Sequence, residues 1–257
     1  MKSVYQVIFG ILIGAAIALL GNYLLSARGM LAIIALLAAA CVGLILCNKI
    51  LSRTGLMALY RRCDPEAAID SLLPKLAAAR RKQNLRAEKY CVLNLAAACH
   101  AHGETDKALV LLAGITPEGE KPTFAILYWE DVAAMQWDKA QLSASFWEAW
   151  RQAGEAAANW CRQGKRNRQI EFFMAYLQAL IDVTNQDFPK ALAWFESALK
   201  RLPKYNLYLK VMLTYNMACI YERQGLTEQS QTAFEFVVKQ GNKLHVVGLA
   251  RERLNAN

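Results

Sequence analysis

The sequence predicts an all-α protein, with an N-terminal two-helix transmembrane hairpin followed by an α-solenoid of paired helices. Three observations carry this expectation. Two long stretches near the amino terminus, Ser3 to Ala27 and Gly29 to Asn48, contain no charged residue. Beyond residue 48, apolar side chains recur at spacings of three and four among strong helix formers such as Ala, Leu, Gln, Glu, Lys and Arg. Helix breakers then divide the remainder into segments of hairpin length: His102-Gly103, Thr116 to Gly119, Gln163-Gly164, Asn185 to Asp187, Leu202-Pro203 and Gln224-Gly225.

Residues 1–50 form the expected hairpin. Val4–Leu25 and Met30–Asn48 are 22 and 19 residues long. At about 1.5 Å per residue, either spans a hydrocarbon core of about 30 Å. Backbone groups in lipid are satisfied within a helix, and the link Ser26 to Gly29 is short enough to force an antiparallel pair. Small residues at Gly10, Gly14, Ala18 and Gly21 offer a packing face, although such residues are also simply common in spans. Basic residues flank the outer ends. Lys2 precedes the first span, Lys49 and Arg53 follow the second, and Arg28 alone lies in the turn. The positive-inside rule therefore predicts a multi-pass protein of the cell membrane with both termini cytoplasmic.

Residues 51–63 are expected to form a basic juxtamembrane helix. Lys49, Arg53, Arg61 and Arg62 are the membrane-surface candidates, with the bilayer and its anionic head groups as partner. Seven cysteines, an odd number with no C-x-x-C, exclude a disulfide framework or a zinc site.

Residues 64–257 are expected to stack as helical hairpins. One stretch reads Phe188-x-x-Ala191-x-x-x-Phe195-x-x-Ala198, ending at Pro203. The next reads Met217-Ala218-x-x-Tyr221-x-x-x-Gly225, then Ser230-x-x-x-Phe234. An earlier one reads Leu95-Ala96-x-x-Cys99-x-x-x-Gly103, then Ala108-x-x-x-Leu112. A weaker unit holds Trp137-x-x-Ala140-x-x-x-Ala144-x-x-Trp147, and Asp64 to Leu76 suits a lone second helix. Lys243 to Leu254 suits a capping helix. These patterns resemble the tetratricopeptide repeat (TPR) family, in which a small residue admits a close neighbour and a large one fills the space beside it. The key positions Ala68, Ala108, Ala140, Ala191 and Ser230 are irregularly spaced, so the TPR-like repeats are degenerate.

The resemblance implies a concave groove, lined by the first helix of each pair, that takes a protein or peptide partner. By resemblance, Asn94 and Asn216 stand where many family members hold a peptide backbone, although Asn there is also a structural consensus feature. Tyr176, Tyr215 and Arg223 are placed in the same groove. The basic set of the family's carboxylate-clamp subtype cannot be assembled.

Other candidates carry less. His100-x-His102 points to two faces of a helix and lacks a further ligand, so no metal is expected. Glu130-Asp131 reads as a solvated acidic pair. The aromatic cluster Tyr128, Trp129, Trp137, Phe146, Trp147, Trp150 and Trp160 is either core or a partner anchor. No phosphate loop, nucleophile elbow or H-E-x-x-H is present, so no catalytic residue, cofactor or small-molecule substrate is expected. Lys165-Arg166-x-Arg168 reads as a connector, and no nucleic-acid partner is expected. The function expected is a membrane-tethered interaction scaffold. The alternatives are a structural subunit packed through its hairpin and, more remotely, an enzyme with a site built from scattered residues.

Overall fold

A computed structural model describes residues 40, 43, 56–140, 142–164, 168–203 and 206–256. The chain divides into two units, Met1–Arg53 and Thr54–Asn257. The description that follows is of the second.

Residues 56–62 are helical and lead into ten further helices. These are α1 (Pro65–Arg81), α2 (Leu85–His102), α3 (Thr105–Ala113), α4 (Pro122–Ala140), α5 (Ala144–Arg162), α6 (Arg168–Thr184), α7 (Phe188–Arg201), α8 (Leu207–Arg223), α9 (Thr227–Gln240) and α10 (His245–Ala256). Side-chain caps set several starts. The carboxylate of Asp64 accepts from the Ala67 amide at 3.1 Å, and the carbonyl oxygens of Asn84 and Asn206 accept from Ala87 and Leu209 at 3.0 and 3.1 Å. Gly103 ends α2 in the left-handed region, with φ of 99°.

Neighbours in sequence pack together in solenoid fashion: α2 with α3, α4 with α5, α6 with α7, and α8 with α9. The pairs stack through α3 on α4, α4 on α6 and α7 on α8. Large aromatics seal the core. Phe124, Phe146, Phe195 and Phe234 are all fully buried, with Ala191 and Ala198 closed around Phe195. Burying each such side chain is worth roughly 1.5–3 kcal/mol. Polar ties fix the register between layers. Ser230 Oγ donates to the Ala218 carbonyl at 3.3 Å, and Trp137 Nε1 donates to Thr184 Oγ1 at 2.9 Å.

The array closes on itself. One apolar cluster unites Leu59, Cys63 and Ala68 with Val211, Phe234, Leu244, Val247 and Ala250. The Lys243 amide donates to the Cys63 carbonyl at 3.2 Å, and Asn242 Nδ2 donates to the Arg62 carbonyl at 2.8 Å. Two glycines permit this seam. A Cβ on Gly103 would lie 2.8 Å from the His245 ring, and one on Gly241 would lie 2.4 Å from Val247 Cγ2.

Several expectations need correction. Among the described residues no helix is long and apolar enough to cross a membrane. The physical reason lies in their composition: each apolar stripe is consumed by packing against the next helix, and charged residues cover the other face. The hairpin expected over residues 1–50, with Lys49 and Arg53, lies outside the described residues. The multi-pass localisation, the lipid partner, the membrane-tethered scaffold and the hairpin-packed subunit find no support among the described residues. Arg61 and Arg62 are exposed at the end of the helical stretch 56–62, and the Arg62 carbonyl takes part in the closing seam. The unit running from Trp137 to Trp147 is also not one helix. Ser143 Oγ accepts from the Phe146 amide at 3.2 Å and starts a new helix there, so the turn of the α4–α5 pair falls inside the expected repeat.

Candidate inner-face site

The helices α2, α4, α6 and α8, with residues 56–62, contribute polar side chains to a common inner face. Glu130 and Asp131 come from the middle of α4. Tyr176 comes from α6, Tyr208 and Asn216 from α8, and Tyr60 from the leading helix. The rings of Tyr60 and Tyr208 meet edge to face, with centroids 6.0 Å apart. Asn216 Nδ2 donates a long hydrogen bond of 3.5 Å to the Tyr176 hydroxyl. His100 of α2 places Nε2 3.0 Å from Asp138 Oδ2 of α4, while its Nδ1 lies 3.2 Å from Thr105 Oγ1.

Electrostatics join these groups into one cluster. Burial pushes the Tyr60 phenol up to about 12, and the charges of Asp131 and then Glu130 add to the rise. Burial also raises Tyr176, with Asp138 and Glu130 contributing. Tyr208 lies well above its ordinary range because of burial, then Tyr176, Tyr60, Asp131 and Asp138. Both acidic neighbours are raised as well. Burial dominates for Glu130, with Asp131 adding to it, and burial dominates for Asp131, with the His100 side chain opposing it. Tyr60, Tyr176, Tyr208 and Asp131 nevertheless keep part of their surface accessible.

Glu130 is 5% exposed. Among the described residues, no hydrogen-bond or ion-pair partner reaches its carboxylate or that of Asp131. The expected solvation therefore fails for Glu130, whereas Asp131 stays partly exposed. The helix position was legible in the sequence, but which face α4 turns inward was not. Ile126, Glu130 and Ala133 are all buried on α4, so an acidic residue occupies a stripe that is otherwise apolar.

The five groove candidates separate. Tyr176 and Asn216 meet on the inner face. Asn94 spends its amide on the Tyr90 carbonyl one turn back, at 2.8 Å. Tyr215 packs on Phe234, centroids 6.0 Å apart, in the seam between α8 and α9. Arg223 is exposed at the end of α8. Sequence reasoning missed Tyr60, Tyr208, Glu130 and Asp131, because the closing of the array brings the first two together and no local pattern announces it.

Elsewhere, the aromatic cluster is mainly core. Phe146 is sealed, Trp137 is tied to Thr184, and Trp147 is the exception at 41% exposed. The His100 and His102 rings face carboxylates one at a time, His102 Nε2 lying 3.5 Å from Glu66 Oε1. Among the described residues no group of three His, Cys, Asp or Glu side chains is placed to hold a metal ion.

No family model matches the chain, and neither a curated protein nor a solved structure matches it. The tetratricopeptide resemblance is accordingly corrected to a coarser description: an all-α, repeat-like helical array whose pairs stack in the manner of a solenoid.

Proposed function

We propose that Thr54–Asn257 is a helical-repeat binding module, not an enzyme, that holds a protein or peptide segment against the inner face of α4, α6 and α8. One observation carries this reading. The seams between paired helices are filled mainly by apolar side chains, whereas Tyr60, Tyr176, Tyr208 and Asp131 stay partly accessible, with Asn216 buried against Tyr176 and Glu130 buried next to Asp131. Polar groups held so far from bulk water cost free energy unless something satisfies them. A bound segment supplies backbone amides and carbonyls for that purpose, and the part-exposed aromatic rings supply anchoring surface.

The test is selection of displayed peptides on the full chain, followed by hydrogen exchange with a selected peptide bound. Protection is expected in α4, α6 and α8. Asn216→Ala, and Tyr176→Phe to a smaller degree, should weaken binding, by about tenfold for the former. Protection confined to the outer helices α5 and α9, with unchanged affinity in Asn216→Ala, would overturn the reading.

A further inference from the structure

The outer side of the last hairpin holds a groove. Lys210, Thr214 and Tyr221 of α8 and Glu228, Thr232 and Phe236 of α9 line a cavity of about 590 Å³. At about 100° per residue, the α8 stripe that lines it lies opposite Tyr208 and Asn216, so this groove is separate from the inner face.

The groove has a defined chemistry along its length. Thr214 Oγ1 donates to the Lys210 carbonyl at 2.8 Å, and Thr232 Oγ1 donates to the Glu228 carbonyl at 2.9 Å. Both hydroxyl protons are thus spent within their own helices. The Phe236 ring is half-buried, with Lys210 Nζ 5.0 Å from its centroid. The chain reverses between α8 and α9, where the Leu226 amide donates to the Tyr221 carbonyl at 2.9 Å. Glu228 therefore stands at the turn end of the groove, and Lys210 stands at the other end beside Phe236. Glu228 and Phe236 are eight residues apart (236 − 228), so the two charges are separated by about 12 Å, roughly two helical turns. Both are exposed, and among the described residues neither meets an ion-pair partner. Glu222, also on α8, is by contrast answered by Arg253 at 2.8 Å.

This pattern selects the form of an occupant. The walls are two helices that bond their backbone groups within themselves, so no strand edge is offered to an extended peptide. A helix arrives with its own backbone satisfied and needs only side-chain contacts. We propose that the α8–α9 groove docks one amphipathic helix of a partner protein. An acidic side chain of that helix meets Lys210, a basic one about two turns later meets Glu228, and apolar residues between them cover Phe236 and Tyr221. Acidic residues favour the first turn of a helix and basic residues the last, so the docked helix runs parallel to α8. The inference goes beyond the inner-face reading and does not depend on it.

The test uses the full chain and two side-chain-crosslinked helical peptides of about 14 residues. Both carry the same apolar face. One has its acidic residue first and its basic residue two turns later, and the other has the two exchanged. Fluorescence anisotropy is expected to show the acid-first peptide binding about tenfold more tightly. In Lys210→Glu with Glu228→Lys the preference should reverse, and a thermal melt verifies that this exposed exchange leaves the fold intact. Asn216→Ala should leave the preference unchanged, which separates this groove from the inner face. Equal affinity for the two peptides, or a preference that persists in the exchanged variant, would overturn the proposal. Absence of binding by either peptide would overturn it too, while the inner-face reading stands. If the chain alone forms a dimer that the exchanged variant does not, the occupant is a second copy and the partner-protein assignment falls.

Discussion

Asp182 and Glu130 are buried to almost the same degree, at 6% and 5% exposed, yet the two regions around them follow opposite rules. Near the end of α6, Asp182 is met by Gln178 from its own helix and by Lys190 from α7. Its charge is answered within the chain, and the ion pair ties the two helices of one hairpin. On α4, burial and mutual repulsion raise Glu130, and burial raises Asp131 against the opposing influence of His100, while no ion pair reaches either carboxylate among the described residues. The first arrangement is what a fold does to keep a carboxylate inside. The second lowers stability and is expected only where something outside the chain completes it. Equal burial therefore says little about purpose, whereas the presence or absence of partners says much.

The two regions should respond with opposite sign to the same chemical change. Asp182→Asn removes the charge from two hydrogen bonds and leaves Lys190 without its counter-ion. A loss of about 1.5–3 kcal/mol is expected, read from denaturant unfolding at neutral pH. A loss well under this range would mean that the Asp182 region is no better compensated than the inner face. Glu130→Gln with Asp131→Asn should instead stabilise the fold, on the order of 1–2 kcal/mol at pH 8. The sign follows from proton binding. Burial raises both folded-state pKa values, that of Asp131 to about 7, above those of the unfolded chain. Their contribution to stability is complete below the ordinary carboxylate range and is lost as pH rises through about 4 to 7. The gain in the double variant should thus be large at pH 8 and nearly absent at pH 4. A gain that is flat with pH, or a loss, would show that the pair is compensated after all.

Much of this contrast lay beyond the sequence. The helical content, the breakers at Gly103, Gln163-Gly164 and Gly225, and the Ala191–Phe195–Ala198 packing triad could be read directly, because each depends on residues within one or two turns. The break before α5 was missed because Ala140 and Ala144 continue a helical pattern and only the Ser143 cap interrupts it. The break at Gln83, with φ of 51°, carries no glycine and gave no signal. The inner face was hidden for a different reason. Tyr60 and Tyr208 are 148 positions apart (208 − 60) and meet only because α10 and the Gly241 turn fold back on the start of the array. Tyr176 and Asn216 could be named from the resemblance, but Glu130 could not. Adjacent acids on a helix are usually solvated, and only the packing of α4 between α3, α5 and α6 turns this pair inward.

The smallest effect belongs to a third kind of carboxylate, the exposed one, which tests whether depth or charge pairing governs the comparison. On α5, Arg151 bridges Glu148 and Glu155, with Nη2 2.7 Å from Glu148 Oε1. These short contacts look as strong as those of Asp182, and they hold the Glu148 carboxyl below its usual range, first through the Arg151 hydrogen bonds and then through Gln152. All three side chains are half in water, where each group is nearly as well satisfied by solvent in the unfolded chain and where salt screens the attraction. Arg151→Gln should therefore leave the unfolding midpoint unchanged within error at physiological salt, with at most a small loss on lowering the salt. A loss comparable to that of Asp182→Asn would mean that pairing alone sets the energy, and the contrast drawn between partnered and unpartnered burial would lose its basis.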